Sequence, residues 1–325
     1  MTSAETDTSD RPLVRNGASS GRRPAPRLTV VGAANLDRFI RVPRLPEPGE
    51  TMRATAPMES GGGKGANQAV AARRLGVDVV FVGAVGRDPA GARLEAALER
   101  EGIDTRFMQR VAGVPTGEAW IAVDGQGGNL LFYIPGANDA LDVDAIPDAA
   151  LAAGDAVLLQ NELAEAAPRL ARRARAHARR VIWNAAPVDR WDPAMIALTD
   201  ILVANHIEVV ALVPGASGPI AAATRLLDMG VGEAVIVTRG GAGAELVTRE
   251  ASWHVDAVAA GRVVDTTGCG DAFAAAAAVG LVRGLGLPAA MDLAARVAGL
   301  AATRPGAQPS FPRAEELAGE RDPGA

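Results

Sequence analysis

Asp265-Thr-Thr-Gly-Cys-Gly-Asp271 (DTTGCGD) is followed at once by Ala272–Gly284, an alanine-rich stretch with no charge until Arg283. A helix that is apolar all round belongs inside a protein, between other layers. The strand-like run Arg262–Val264 leads into the loop, so its glycines turn a strand into a buried helix. The backbone N–H groups of Gly268, Cys269 and Gly270 then stand unpaired at the helix start, where the dipole favours an anion. Asp271 lies in the first turn and faces that anion. A carboxylate there is a poor anion ligand but a reasonable base. It can take the proton of a hydroxyl that attacks a phosphoryl group gathered by the loop. An ordinary acid at a helix start would explain Asp271 alone, but not the glycines around it.

Cys269 is the single cysteine of the chain. The histidines His177, His206 and His254 show no Cys/His pattern, so the sulfur has no base. Its peptide N–H is expected to matter more than its thiol. A thiol at a helix N-terminus is also expected to have a lowered pKa and to react with thiol reagents. One cysteine excludes an intrachain disulfide and fits a reducing, cytoplasmic setting.

Working outward, short apolar runs alternate with helical spacing. Leu28–Gly32, Val79–Val82, Ala156–Leu159, Val181–Trp183, Ile201–Val203 and Ala234–Thr238 read as buried strands. Lys64–Leu75 and Ala90–Glu101 read as helices, and a further helical pattern starts near Glu162. Apolar strands alternating with helices predict a mostly parallel sheet covered on both faces. Two regions break the rhythm: 38–57, with PEPGE, and 110–134, where EAWIAVD and NLLFYI flank the turn Gly125–Gly128. They predict a small separate sheet that acts as a lid. Trp120 and Tyr133 are candidates for stacking on a ring there, or simply pack between strands.

Ser60-Gly-Gly-Gly-Lys-Gly-Ala-Asn-Gln68 is the second glycine-rich stretch. Lys64 is followed by Gly65, so the Walker spacing fails. A tight turn needs one glycine, whereas this run lets the backbone approach a small polar ligand. Lys64 and Asn67 add donors that suit a polyhydroxylated substrate.

Net charge is −5, with 48% hydrophobic and 22% charged residues. That balance permits a full core and argues against a nucleic-acid partner. The arginines between Arg172 and Arg180 read as a solvated helix face. No apolar run reaches the roughly 18 residues of a membrane span. Residues 1–26 are too polar to fold and are expected to be a disordered tail, as are 313–325.

These motifs resemble, in order and spacing, the ribokinase-like (phosphofructokinase-B-type) sugar kinases: GGGKGANQA at 61–69, Asn205–Glu208 as NxxE, TRGGAG at 238–243, DTTGCGDAF at 265–273 and TRPGAQPS at 303–310. GAANLD, PEPGE, PGAN, Glu162 and GAQPS favour the ribokinase branch. The resemblance implies a three-layer α/β/α sandwich over 27–312 with a β-sheet lid through which two copies pair as a homodimer. It implies ATP-dependent phosphorylation of ribose at the 5-hydroxyl. A kinase of a nucleoside or another sugar is the alternative, and a non-catalytic sugar sensor is a third reading.

Carried over by motif, Asn35, Asp37, Gly63, Lys64, Gly65, Asn67 and Glu162 would hold the sugar. Asp271 would be the base, with Gly268, Cys269 and Gly270 around the transferring phosphoryl. Asn205, Glu208, Thr238, Arg239, Gly240, Gly241, Ala242 and Gly243 would serve ATP, together with Gly270 and Asp271, and Glu208 would organise Mg²⁺. A monovalent cation, typically K⁺, would sit among Asp265, Thr267, Ala301, Arg304, Gly306 and Ser310. The chain departs from the family near the adenine, where Ala295 beside Arg296 replaces a polar His or Asn. It also carries Cys269 where alanine is commoner.

Overall fold

The computed structural model describes residues 25–55, 57–125 and 128–318. The expected N-terminal tail lies, but for its last two residues, outside them. In chain order the strands are β1 (Arg27–Val31), β2 (Asn35–Arg41), β3 (Met58–Gly62), β4 (Asp78–Val82), β5 (Ala84–Gly86), β6 (Gln109–Val111) and β7 (Gly117–Val123). They continue with β8 (Asn129–Ile134), β9 (Ala156–Gln160), β10 (Arg180–Asn184), β11 (Ile201–Asn205), β12 (Ala234–Thr238), β13 (Ala244–Val247) and β14 (Ser252–Val255). The helices are α1 (Lys64–Arg74), α2 (Pro89–Arg100), α3 (Asp148–Ala152), α4 (Ala167–Ala176), α5 (Ala194–Leu198), α6 (Glu208–Leu212), α7 (Pro219–Met229), α8 (Cys269–Val282), α9 (Leu287–Ala301) and α10 (Ala314–Ala318).

Strand side chains alternate between two faces, and here both faces are apolar. Leu28, Phe81, Leu158, Ile182, Ile201 and Ile236 pack on one side with α1, α2, α8 and α9. Val31, Val82, Leu159, Trp183, Leu202 and Val237 pack on the other with α3 to α7. Each buried aliphatic of this kind contributes about 1.5–3 kcal/mol. The result is the expected three-layer α/β/α sandwich. Its eight strands run in the order β14-β13-β12-β11-β10-β9-β1-β4. The pairs from β4 to β12 are parallel, and β13 and β14 complete the edge antiparallel. From β1 the chain builds outward to β4, then returns to β9 and grows the other way. The strand order therefore reverses between β1 and β9, where loops diverge at the carboxyl ends and open a crevice.

A second sheet, β3-β2-β7-β8, rises from this crevice as the lid. Its strands come from the flanks of the first expected segment, 35–41 and 58–62, rather than from 42–57 between them. From the second expected segment, β6 pairs with β5 and only β7 and β8 join the lid.

Two expectations are corrected. Val263 and Val264 are more than half exposed and form no strand, because β14 already closes that edge of the sheet. The C-terminal tail includes the short helix α10, tied down where Leu317 O accepts from Arg296 Nη2 at 2.8 Å; residues 319–325 lie outside the described set. The arginines of α4 are largely paired: Arg173 with Asp148 and Arg175 with Asp200. Among the described residues no helix is long and apolar enough to cross a membrane.

Candidate active site

Helix α8 is buried along nearly its whole length, so its first residues are fixed by the core. Gly268 caps it in a left-handed conformation, φ 76°. A Cβ there would lie 2.8 Å from the Ala307 Cβ, so the loop is pressed against the 303–311 segment. The Cys269 N–H donates to the Thr266 carbonyl at 3.2 Å. That corrects the expectation of three free N–H groups, since the turn made by Gly268 closes on itself through this bond. Among the described residues the N–H groups of Gly268 and Gly270 meet no protein acceptor. No heavy atom stands within 4 Å of where a Cβ on Gly270 would be, so the space before it is open.

The thiol also differs from expectation. Burial, with the charges of Asp265 and Asp271, pushes Cys269 up to about 11. Desolvation and two carboxylates outweigh the helix dipole here. Among the described residues no histidine is hydrogen-bonded to the sulfur, whose one hydrogen bond is to the Asp265 carbonyl at 4.0 Å and which otherwise packs against the core. Thiol reagents are therefore expected to react slowly.

Asp271 is buried, and two consecutive residues of the first turn of α1 hold its carboxylate. Asn67 Nδ2 donates to Oδ2 at 2.9 Å and Gln68 Nε2 to Oδ1 at 3.0 Å. Asn67 Oδ1 accepts from Gln308 Nε2 at 3.1 Å, so both ends of this amide are engaged within the protein.

Glu162 follows β9, on the far side of the strand-order reversal. Its Oε2 accepts from the Lys64 backbone N–H at 2.6 Å, which caps α1 and ties the two loops. The Lys64 ammonium is held charged chiefly by Asp271, then by Glu162 and Glu208. Asp37 lies over Gly62, where a Cβ would fall 2.0 Å from its Oδ2. That close approach explains one glycine of the GGGKG run. Asn35 Oδ1 accepts from Asn138 Nδ2 at 2.8 Å, and Asn138 Oδ1 accepts from the Ala34 N–H. Asn138 thereby fixes the bend between β1 and the lid. Burial first, then Glu162 and Asp271, pushes Asp37 up to about 7. Burial and Asp271 likewise push Glu162 up to about 7, against the pull of Lys64.

Asn205 and Glu208 form a reciprocal pair at the end of β11. Glu208 Oε2 accepts from the Asn205 N–H, and Asn205 Oδ1 accepts from the Glu208 N–H. This is the two-way arrangement of a capping box. Burial, with the nearby charge of Asp271, raises the Glu208 carboxyl above its ordinary value. Thr238 ends β12, and Gly240–Ala242 make an exposed turn after Arg239, which pairs with Glu245 at 3.3 Å. Gly243 closes the turn. Ala295 is buried in the core, and Arg296 is turned toward α10.

Asp265 joins the two segments expected around the monovalent cation. Its Oδ1 accepts from Thr267 and its Oδ2 from the Gly306 N–H at 2.8 Å. Ala301 and Ser310 are buried beside that junction, and the Arg304 guanidinium pairs with Glu316.

Several polar residues at this centre escaped the reading of the sequence: Gln68, Asn138, Gln160, Asn184 and Gln308. Their signal was weak but present, since Gln160 and Asn184 close strands that are otherwise entirely apolar.

The model of the pfkB family carbohydrate kinases matches residues 25–314. The chain belongs to that family. The chain is thus a carbohydrate kinase, a phosphotransferase. Among pfkB relatives, the ribokinase of Haemophilus influenzae is 32% identical over 296 residues, covering 89% of this chain and 96% of the relative. The deoxyribokinase of Salmonella typhi is 34% identical over 301 residues, covering 89% and 97%. The structure of Arabidopsis thaliana ribokinase complexed with ribose and ATP superposes with a TM-score of 0.83 at 30% identity, covering 91% and 98%.

Proposed function

We propose that the chain transfers the γ-phosphoryl group of ATP to the 5-hydroxyl of D-ribose, giving ribose 5-phosphate and ADP. The observation that carries this reading is the Asp271 carboxylate. Two amides grip it at the start of a buried helix, beside the open space at Gly270 and near the charges of Asp37, Glu162 and Lys64. Asp37, Glu162 and Asn35 accept hydroxyls of the sugar. Asp271 takes the proton of the 5-hydroxyl as that oxygen bonds to the γ-phosphorus and the bond to the ADP oxygen breaks. The N–H groups of Gly268 and Gly270 receive the charge that builds on the phosphoryl oxygens. Thr238–Gly243 flank the nucleotide, and exposed Ile207, Val263 and Val264 offer apolar surface to its base.

The donor set fits Mg²⁺ bound with ATP, which supplies neutralisation of phosphate charge. Glu208 is one acid near that end, and no cluster of three metal-binding side chains occurs among the described residues. That suits an ion that keeps most of its waters and leans on phosphates. The Asp265–Gly306 junction, where the Asp265 carboxylate joins the two loops, is assigned to K⁺, with Arg304 contributing its carbonyl. Replacing K⁺ by tetramethylammonium is expected to lower the rate, and an equal rate would remove the ion.

The Salmonella typhi relative favours 2-deoxyribose as a second reading. A panel of ribose, 2-deoxyribose, fructose and nucleosides separates them by kcat/KM. Ribose is expected to lead, because a site that hydrogen-bonds a hydroxyl rejects the analogue lacking it. A lead for 2-deoxyribose or for a nucleoside would replace the substrate.

The ribose KM is expected to depend on pH. Hydroxyls donate to ionised carboxylates, so binding favours the deprotonated forms of Asp37 and Glu162. KM should rise about tenfold between about pH 8 and pH 6 for each of the two that must be ionised. The sign for stability is opposite. A raised carboxyl keeps in the folded state a proton that the unfolded chain loses, so stability from these two groups falls between about pH 4 and pH 7. A flat KM would remove both carboxylates from sugar recognition.

β8 is an edge strand whose Leu131 and Phe132 are each 58% exposed, with Leu130 and Ile134 also exposed. An apolar unpaired edge needs a cover, and we assign it to the lid of a second copy. Sedimentation should show a dimer that Leu131→Asp with Phe132→Asp converts to monomer; a monomeric parent would contradict this. The reduced Cys269 is in keeping with a cytoplasmic location.

A further inference from the structure

Asp271 is held by a chain of buried amides that all point the same way. Gln68 Nε2 donates to Asp271 Oδ1 at 3.0 Å and also to Asn184 Oδ1 at 2.9 Å. Gln68 Oε1 accepts from Gln160 Nε2 at 2.5 Å. The Asn184 Nδ2 donates onward to the Val203 carbonyl at 3.1 Å. Gln68 and Gln160 are fully buried, and Asn184 nearly so. The direction of the chain is not free. A carboxylate accepts only, so Gln68 must present its NH₂ to Asp271. That choice turns its oxygen toward Gln160, which must then present its own NH₂. The far end is left over: Gln160 Oε1 is buried with no hydrogen-bond partner. It lies against Gly32, where a Cβ would come within 2.0 Å of it. Native interiors rarely keep an orphaned acceptor, and those that do usually keep it at a functional site.

We infer that Gln68, oriented by Gln160, is a positioning residue that sets the plane of the Asp271 carboxylate toward the reacting hydroxyl. This rests on the reading of Asp271 as the base. Asn67 and Gln68 occupy one acceptor direction on each oxygen, which leaves others for the substrate proton. Asn67 and Gln68 together prevent rotation of the carboxylate. Gln308 secures Asn67 from outside, and Gln160 secures Gln68 from within the sheet.

The test compares four full-length variants with the parent for kcat, both KM values and melting temperature. Asp271→Asn, expected to be inactive, checks the base itself. Gln68→Met keeps length and removes all three hydrogen bonds of the amide, to Asp271, Asn184 and Gln160. Its kcat should fall by about 10- to 100-fold, the scale of an ångström-sized misplacement, with ribose and ATP KM within about threefold. Gln160→Leu removes the orphaned acceptor but strips Gln68 Oε1 of its donor, so the number of unpaired buried acceptors is unchanged. Its melting temperature should stay near that of the parent while kcat falls with KM unchanged.

Gln68→Glu sets a second carboxylate against Asp271, among Lys64, Asp37, Glu162, Glu208 and the Cys269 thiol. The acid limb of its kcat profile should move to higher pH and recover part of the rate there. If Asp271→Asn stays active, the base and the positioning role fall together. If it is inactive but Gln68→Met keeps its kcat, only the positioning role falls. Should Gln68→Met not fold, Gln160→Leu decides: an unchanged kcat overturns the inference.

Discussion

Asp271→Asn is expected to lower kcat by about 10²- to 10⁴-fold, the range supplied by a general base, with the ribose KM changed only a few-fold. The substitution keeps size and removes basicity. Its new NH₂ must face either Asn67 Nδ2 or Gln68 Nε2, both donors, so one of the two bonds to Asp271 is lost as well. A melting temperature taken alongside separates that local mismatch from unfolding. With Asp271 as the proposed base, the loss belongs in kcat, because a base acts as the hydroxyl becomes an alkoxide. Substitutions of Asp37 and Glu162, the proposed sugar acceptors, should by contrast appear mainly in KM. A variant that keeps a tenth or more of the parent kcat would remove Asp271 from the chemistry.

Gly268→Ala is expected to reduce kcat by about 10²- to 10³-fold, the effect of losing one preorganised donor to a developing anion. Two independent reasons act at this position. Its φ of 76° is unfavourable for any residue with a Cβ, and that Cβ would meet Ala307 Cβ at 2.8 Å and Ala307 Cα at 2.9 Å. The neighbours cannot yield, since Ala307 and Phe311 are themselves buried. The loop must therefore move, and its free N–H groups move with it. A fall in melting temperature should accompany the loss, as the left-handed conformation alone costs about 1–2 kcal/mol. Gly270→Ala is the contrast, because its Cβ meets nothing. That variant should melt like the parent. Full activity in Gly268→Ala would mean that the loop does not gather the phosphoryl group.

Much of this was legible in the sequence because its signals are local. Runs such as Val181–Trp183 and Ala234–Thr238 are too apolar for anything but a doubly covered sheet. The all-apolar helix after Asp271 announced its own burial, and the glycines before it marked the turn that opens it. The missed features depend on partners distant in sequence. β13 and β14 are four residues each, and they are strands only because β12 offers an edge. Val263 and Val264 looked like a strand by composition, but the sheet had no free position for them. The Cys269 thiol was misjudged because the helix dipole is visible from sequence, whereas burial and the nearness of Asp265 and Asp271 are not. The Asn67–Gln68 grip on Asp271 joins positions 204 and 203 residues apart, and no local pattern encodes that distance.

The central claim is transfer to the 5-hydroxyl of ribose with Asp271 as the base. The most direct measurement is phosphorus NMR of the product formed from ribose, ATP, Mg²⁺ and K⁺ by the parent chain and by Asp271→Asn. A phosphate on the C5 oxygen couples to two protons and appears as a triplet; one on any other ribose carbon couples to one and appears as a doublet. The account predicts the triplet from the parent and almost no product from the variant. A doublet, or a triplet formed as fast by the variant, would contradict it.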